Sequence, residues 1–377
     1  MPWSPVEATL ADLVSLPTVS SQPVDALAGY LADRCEQAGM RVERLETSPG
    51  KCNLVASAGP VGTDGLVLSG HMDVVPVVGQ PWTSDPFTLT RRDDRLHARG
   101  SCDMKGFLAA VVEALPLLDL ARLQRELVLV FTHDEEVGCL GSGALADRYA
   151  AEGRTLPRLC LIGEPTSFRI FRMHPGHVAL RITCTGKAAH SSKPDLGQNA
   201  IRTAARVIDA LDGLAEDWRR DVAFADLLER PFVVMNVATI QGGSAINIVP
   251  DRCVIDVGFR PLPGMDVDAL CTTLDTRVRG LGCVTTERLR VTPAMLTPTG
   301  TALEHLLRPH ASVPELGAAA FATDGGNLER LGVQTLVFGP GSIDVAHQAD
   351  EYVPTAELHR AVDIVAEVVA RRCGGEP

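Results

Sequence analysis

Residues able to do chemistry gather in five short strings. In LVLSGHMDVVP an apolar run ends at His71 and Asp73, two positions apart. Side chains two apart in extended backbone leave the same face, so one can bind while the other orients it. A metal-bound imidazole hands its second ring proton to an acceptor, and Asp73 is placed to take it from His71. ARGSCDMKGF puts Asp103 at the start of a helical pattern, where it reads either as an N-cap or as a ligand. LVLVFTHDEEVG runs a strand into Asp134, Glu135 and Glu136, like charges that repel unless a cation collects them. LCLIGEPTS ends on Glu164, and TLVFGPGSIDVAHQADE delivers His347 after a glycine-rich turn. Two imidazoles with three or four carboxylates suit zinc, cobalt or manganese, whereas the ten scattered cysteines form no CxxC pair and give no support to a sulfur-ligated site.

These residues need elements to hold them. Up to about Phe171, β-rich runs (66–68, 127–132 and 159–162) alternate with helical patterns, the signature of a mainly parallel sheet with crossover helices on both faces. The pattern after Asp103 places Phe107, Leu108, Val111, Val112 and Leu115 on one helical stripe that should pack on the sheet. Ligands of open α/β sheets bind beyond the carboxyl ends of the strands, and four such ends here carry a histidine or an acid. From His177 to Arg290 the order becomes strand, helix, strand, strand, helix, strand, a βαββαβ unit complete in itself. The α/β pattern then returns with an apolar run at 334–338 and a closing helix over 355–371. The expected layout is a discontinuous α/β domain, 1–176 with 291–377, interrupted by a smaller ferredoxin-like domain over 177–290.

Composition narrows the partners. The 377 residues carry 35 Lys and Arg against 47 Asp and Glu, a formal charge of −12 that opposes binding to nucleic acid or an anionic membrane. No apolar run approaches the roughly 20 residues that span a bilayer, and the N-terminus lacks the pattern of a secretory signal. Unpaired, scattered cysteines suit a reducing compartment, so a cytoplasmic protein is expected.

The strings SGHMDVVP, WTSDPF, ARGSCDMKG, HDEEVG, IGEPTS, GKAAHSSKP and GPGSIDVAHQADEY, in this order, resemble the metallopeptidase family that contains acetylornithine deacetylase, succinyl-diaminopimelate desuccinylase, aminoacylase and carboxypeptidase G. The resemblance spans nearly the whole chain. It implies a catalytic domain holding two divalent ions, zinc first, with a βαββαβ lid or dimerisation domain inserted. Carried over residue by residue, it makes Asp103 the carboxylate bridging two ions, His71 and Glu164 ligands of one, and Glu136 and His347 ligands of the other. Three carboxylates against two divalent ions leave about one positive charge, which a hydroxide or anionic intermediate would neutralise. Glu135 becomes the general base, and Asp73 the group that orients His71. His190 matches a lid histidine that stabilises the oxyanion in the partner subunit's site, which implies a homodimer. Asn247 and Arg260 match positions that hold the substrate backbone or carboxylate, and the Gly325–Gly326 loop could let substrate approach the backbone. The reaction implied is hydrolysis of an N-acylated amino acid, acetylornithine foremost. Desuccinylase, aminoacylase or di- and carboxypeptidase action are alternatives with the same chemistry, and a noncatalytic metal-binding relative is one of another class. FATDGGNLE departs from the Thr-Glu-Ala-Gly string of the acetylornithine deacetylase branch.

Overall fold

The computed structural model describes residues 2–374, and the chain divides into two compact units. The first comprises the residues up to Met173, Met295–Ala318 and the chain from Thr323 onwards; the second comprises His174–Ala294 and Ala319–Ala322. The short return at 319–322 is invisible in the sequence, because four residues are too few to show a period.

Four parallel strands form the middle of the first unit's nine-stranded sheet, in the order Leu127–Thr132, Leu66–His71, Leu159–Ile162, Gln334–Val337. Antiparallel strands extend it, Lys51–Ala58 and Arg41–Ser48 at one side and Phe171–His174 at the other. Every residue of Leu66–His71 and Leu127–Thr132 is buried, as continuous apolar runs must be in a sheet covered on both sides.

The helix after Asp103 spans Lys105–Ala114, and every residue of it except Glu113 is buried. The sequence predicts a single buried stripe. Instead, helices Pro5–Ser15 and Thr355–Cys373 pack against this helix in addition to the sheet, so it is apolar and buried all round. Its one exception, Glu113, is met by Arg34 at 2.6 Å. Lys105 donates to Leu13 O and to the C-cap Leu16 O at the end of Pro5–Ser15, at 3.0 and 2.8 Å, and burial lowers its pKa from 10.5 to about 7.

The second unit follows the βαββαβ order. Its antiparallel sheet runs Val234–Gly242, Arg252–Arg260, His177–Thr185, Cys283–Thr292. Helices Ala200–Trp218 and Val267–Arg279 pack on that sheet. Strict alternation along His177–Thr185 and Arg252–Arg260 buries one face, where Val178, Leu180, Ile182, Ile255, Val257 and Phe259 meet Ala204, Val207 and Leu211. Asn199 caps the first helix by accepting the Ile201 and Arg202 amides. Among the described residues no helix is long and apolar enough to cross a membrane, and all ten cysteines are free, eight of them buried.

Candidate metal centre

The parallel strands bring their carboxyl ends together, and the ligand-type residues with them. His71 closes its strand, Glu135 and Glu136 follow Thr132, and Glu164 lies two residues past Ile162. Gly163, between strand and ligand, has a packing reason: a Cβ there would sit 1.9 Å from the Phe107 ring. Asp103 is not an N-cap, because the helix begins at Lys105 with Met104 in the cap position and no side-chain cap bond. Its two carboxylate oxygens face two imidazoles. Oδ1 lies 3.0 Å from His71 Nε2, and Oδ2 lies 3.2 Å from His347 Nε2. Glu136 stands 3.0 Å from the same nitrogen of His347, and Glu164 stands 3.8 Å from that of His71. Donor atoms of His71, Asp103 and Glu136 all lie within 4.8 Å of one another, as do those of His71, Glu135 and Glu164.

Asp73 acts differently from its sequence reading. His71 Nδ1 meets the backbone carbonyl of Asp73 at 2.9 Å, while the Asp73 carboxylate is 3.8 Å away. The strand ends at His71, so the pair does not share one strand as the same-face argument requires. The carboxylate instead accepts the Glu135 amide at 3.0 Å and the Ser20 hydroxyl at 2.7 Å. Of the three consecutive acids, Asp134 leaves the cluster to pair with Lys51 at 2.5 Å and His133 at 3.2 Å.

Sequence reasoning missed Asp324. It is buried, takes the Thr132 hydroxyl at 2.5 Å on Oδ2, leaves Oδ1 without a partner, and clusters with Glu135 and Cys139 within 4.8 Å. It lies in the FATDGGNLE string, where the sequence singles out only Gly325 and Gly326. Gly325 and Gly326 are buried in the short helix Gly325–Glu329, and a Cβ on Gly325 would meet Met295 Sδ at 2.5 Å. Packing therefore accounts for Gly325 without a substrate.

Charge is concentrated here. Burial, then neighbouring carboxylates, push Glu135, Glu136 and Glu164 up from the ordinary carboxyl range, and burial does the same to Asp324. Hydrogen bonds to Asp103 and Glu136 push His347 up to about 10. Burial works against a charged His71, but Asp103 and Glu164 outweigh it and raise it as well. For Asp103, burial is outweighed by the two imidazoles, which hold it below its ordinary value. Among the described residues, the ion pairs of Asp103, Glu136 and Glu164 are all to histidine, with no lysine or arginine to balance them. A largely buried carboxylate cluster with one buried and one half-exposed imidazole fits divalent ions of the zinc class.

Three further residues that the sequence singles out lie in the second unit. His190 is exposed in a two-residue strand paired with Ile248–Val249, and the neighbouring Ser191 amide donates to Asn247 O at 3.0 Å, so His190 and Asn247 come together. The Ser192 amide points to His190 Nδ1 at 3.2 Å, which makes Nδ1 the acceptor and leaves Nε2 the donor. Arg260 ends strand Arg252–Arg260 and lines a cavity of about 290 Å³ with Pro175, Phe232 and Leu262. Burial alone lowers its pKa.

The chain has relatives among known proteins. The chain is 36% identical to an acetylornithine deacetylase of Myxococcus xanthus, over 98% of each chain. In fold it is similar to an M20 family metallo-carboxypeptidase of Sulfolobus solfataricus, at a TM-score of 0.80 and 19% identity, covering 98% of this chain and 99% of that one. It is also similar to a dinuclear metal-binding M20 peptidase of Bacillus subtilis, at 0.70 and 14%, covering 97% of each. Residues 67–371, which span every ligand-type residue from His71 to His347, match the model of peptidase family M20/M25/M40, and the chain belongs to that family.

Proposed function

We propose that the chain hydrolyses the amide bond of an N-acylated amino acid, with N2-acetyl-L-ornithine as its substrate and ornithine and acetate as products. The observation that carries the reading is the pair of Asp103 oxygens, each turned to a different imidazole, with Glu164 on the His71 side and Glu136 on the His347 side. These residues would hold two divalent ions, zinc by preference and cobalt or manganese by the same chemistry. Ions bound there would supply Lewis-acid polarisation of the amide carbonyl and a more acidic water. The chain's own groups do the rest.

Glu135 accepts the proton of the attacking water and returns it to the leaving nitrogen. Asp73 fixes its backbone by accepting its amide, which separates its direction from that of Glu136 next to it. His190 offers Nε2–H to the developing oxyanion, and Asn247 beside it holds the substrate backbone. Arg260, a partly buried guanidinium in a cavity, supplies a planar fork for the substrate carboxylate. The name carried by the Myxococcus relative supports acetylornithine among the possible N-acyl amino acids.

A homodimer completes the reading. Strand Val234–Gly242 is an edge of the second unit's sheet and is largely exposed, with Ile240 50% exposed and Ile246 nearby wholly so. A long exposed edge invites pairing with a second copy. Free, mostly buried thiols support a cytoplasmic setting.

The test is hydrolysis of N-acetylornithine, N-acetylmethionine, succinyl-diaminopimelate and a dipeptide by zinc-loaded protein, with and without chelator. Chelator-sensitive preference for acetylornithine is expected. Preference for another member would overturn the substrate, and no turnover of any with two ions bound would favour the noncatalytic relative.

A further inference from the structure

Glu351 lies four residues past His347 and is 1% exposed. One carboxylate oxygen, Oε1, accepts the backbone amides of Cys102 at 2.9 Å and Asp103 at 3.0 Å. The other, Oε2, takes Arg99 Nη1 at 2.5 Å. Arg99 is equally buried, lies over the Trp82 ring at 5.1 Å, and sends Nη2 to Gln80 Oε1 at 2.6 Å. Gln80 then donates Nε2 to the backbone carbonyl of His347 at 2.7 Å. A continuous chain of bonds therefore runs from the Asp103 backbone through Glu351, Arg99 and Gln80 to the His347 backbone.

Stability alone does not account for this frame. Burying an ion pair costs about as much in desolvation as its attraction returns, and apolar side chains of equal volume would often do as well. Glu351 is also placed near Asp103, where another negative charge is unfavourable, and Arg99 Nε is left without a partner. What the arrangement does achieve is position. An amide held at Asp103 sets where its carboxylate leaves the backbone. His347 sits at φ 63°, in the left-handed region that a non-glycine residue adopts only when its surroundings hold it there.

We propose that Glu351 is a positioning residue of the metal centre, holding the Asp103 backbone directly and the His347 backbone through Arg99 and Gln80 at the separation that two ions require. The inference rests on Asp103 and His347 being ligands. Glu351 does not touch an ion; it acts through groups that do, as partners behind a metal ligand commonly do.

The experiment is calorimetric titration of the metal-free protein with Co²⁺, alongside circular dichroism and thermal unfolding, for wild type, E351Q, R99M/E351Q, Q80A and D103N. Wild type should take two ions. E351Q and R99M/E351Q should keep the wild-type circular dichroism but bind at least one ion about 10- to 100-fold more weakly, the loss typical of removing such a partner. Gln80 is only partly buried, so Q80A should fold normally and weaken ion binding to a smaller degree. Should E351Q fail to fold because Arg99 is left unpaired, the double variant decides, and Q80A decides if neither folds. A purely structural pair predicts the reverse pattern, a lower Tm with both ions bound within twofold of wild type, and that result overturns the proposal. If wild type fails to take two ions, or D103N binds as wild type does, the ligand assignment has failed instead.

Discussion

Asp73 shows that spacing along the chain does not by itself fix a side chain's partner. It sits two residues from His71, yet its carboxylate holds the Glu135 amide and only its carbonyl meets the imidazole. Glu135→Gln should therefore bind both ions with wild-type affinity, since the amide contact is untouched, while turnover falls about 10²- to 10⁴-fold. Calorimetric ion titration and steady-state kinetics on one preparation check both halves, and loss of an ion would show that Glu135 is a ligand rather than a base. The residues that could be read from the sequence are those with a local signature: a histidine or acid at the end of an apolar run, as with His71, Glu135, Glu136 and Glu164. Asp324, Arg99 and Glu351 were not readable, because what defines them is a partner far along the chain. Thr132 is 192 positions from Asp324, and Arg99 is 252 from Glu351. No spacing within a window of twenty residues can report such a pair.

The elements were legible in type, and less so in their surroundings. Periodicity locates the helix after Asp103 and the βαββαβ order of the second unit, since both rest on local repeats of apolar residues. It does not reveal that Lys105–Ala114 is covered on its outer side too, because that depends on the first and last helices of the described chain. Close packing of this helix on the strand ends is what leaves Gly163 no room for a side chain. Gly163→Ala would place a methyl carbon within bond-like distance of the Phe107 ring, so either the helix or the Glu164 strand end must shift. Destabilisation of about 1–3 kcal/mol is expected, with weaker binding of the ion on the His71 side. Denaturant unfolding and ion titration measure the two effects; an unchanged midpoint would mean that the helix yields freely.

At the scale of the whole molecule, protons and ions compete for one cluster. The folded protein raises His347 from 6.5 to about 10, so in the metal-free state it holds a proton that the unfolded chain releases earlier. That contribution is complete below about pH 6.5 and is lost as pH rises towards 10. The raised carboxyls act in the same direction at lower pH, and His347 is half exposed, so solvent moderates its share. His71 is raised as well and acts with His347, whereas Lys105, lowered by burial from 10.5 to about 7, acts against them above pH 7. Between pH 6.5 and 10 the Tm of the metal-free wild type should therefore fall relative to that of His347→Ala, and the difference should shrink once ions replace the protons; an identical pH dependence of the two contradicts the assignment. The homodimer proposed at the exposed edge strand makes a separate prediction: wild type should sediment as a dimer, and Ile240→Lys should shift it to a monomer and lower turnover while both ions stay bound; a monomeric wild type overturns the homodimer, and a dimer unaffected by the charge moves the interface elsewhere. The bond frame from Asp103 to His347 also bears on how the protein is made in the cell. Asp103, Glu136 and Glu164 leave the ribosome early, but the strand at 334–337, His347 and the Glu351 that steadies Asp103 come only after the entire second unit. A nascent chain can thus present four of the five proposed donors, all but His347, and still lack the Glu351 that steadies Asp103, so the complete centre assembles only after these last residues are made, and a chain cut short before them would leave its acids exposed to whichever cation arrives first.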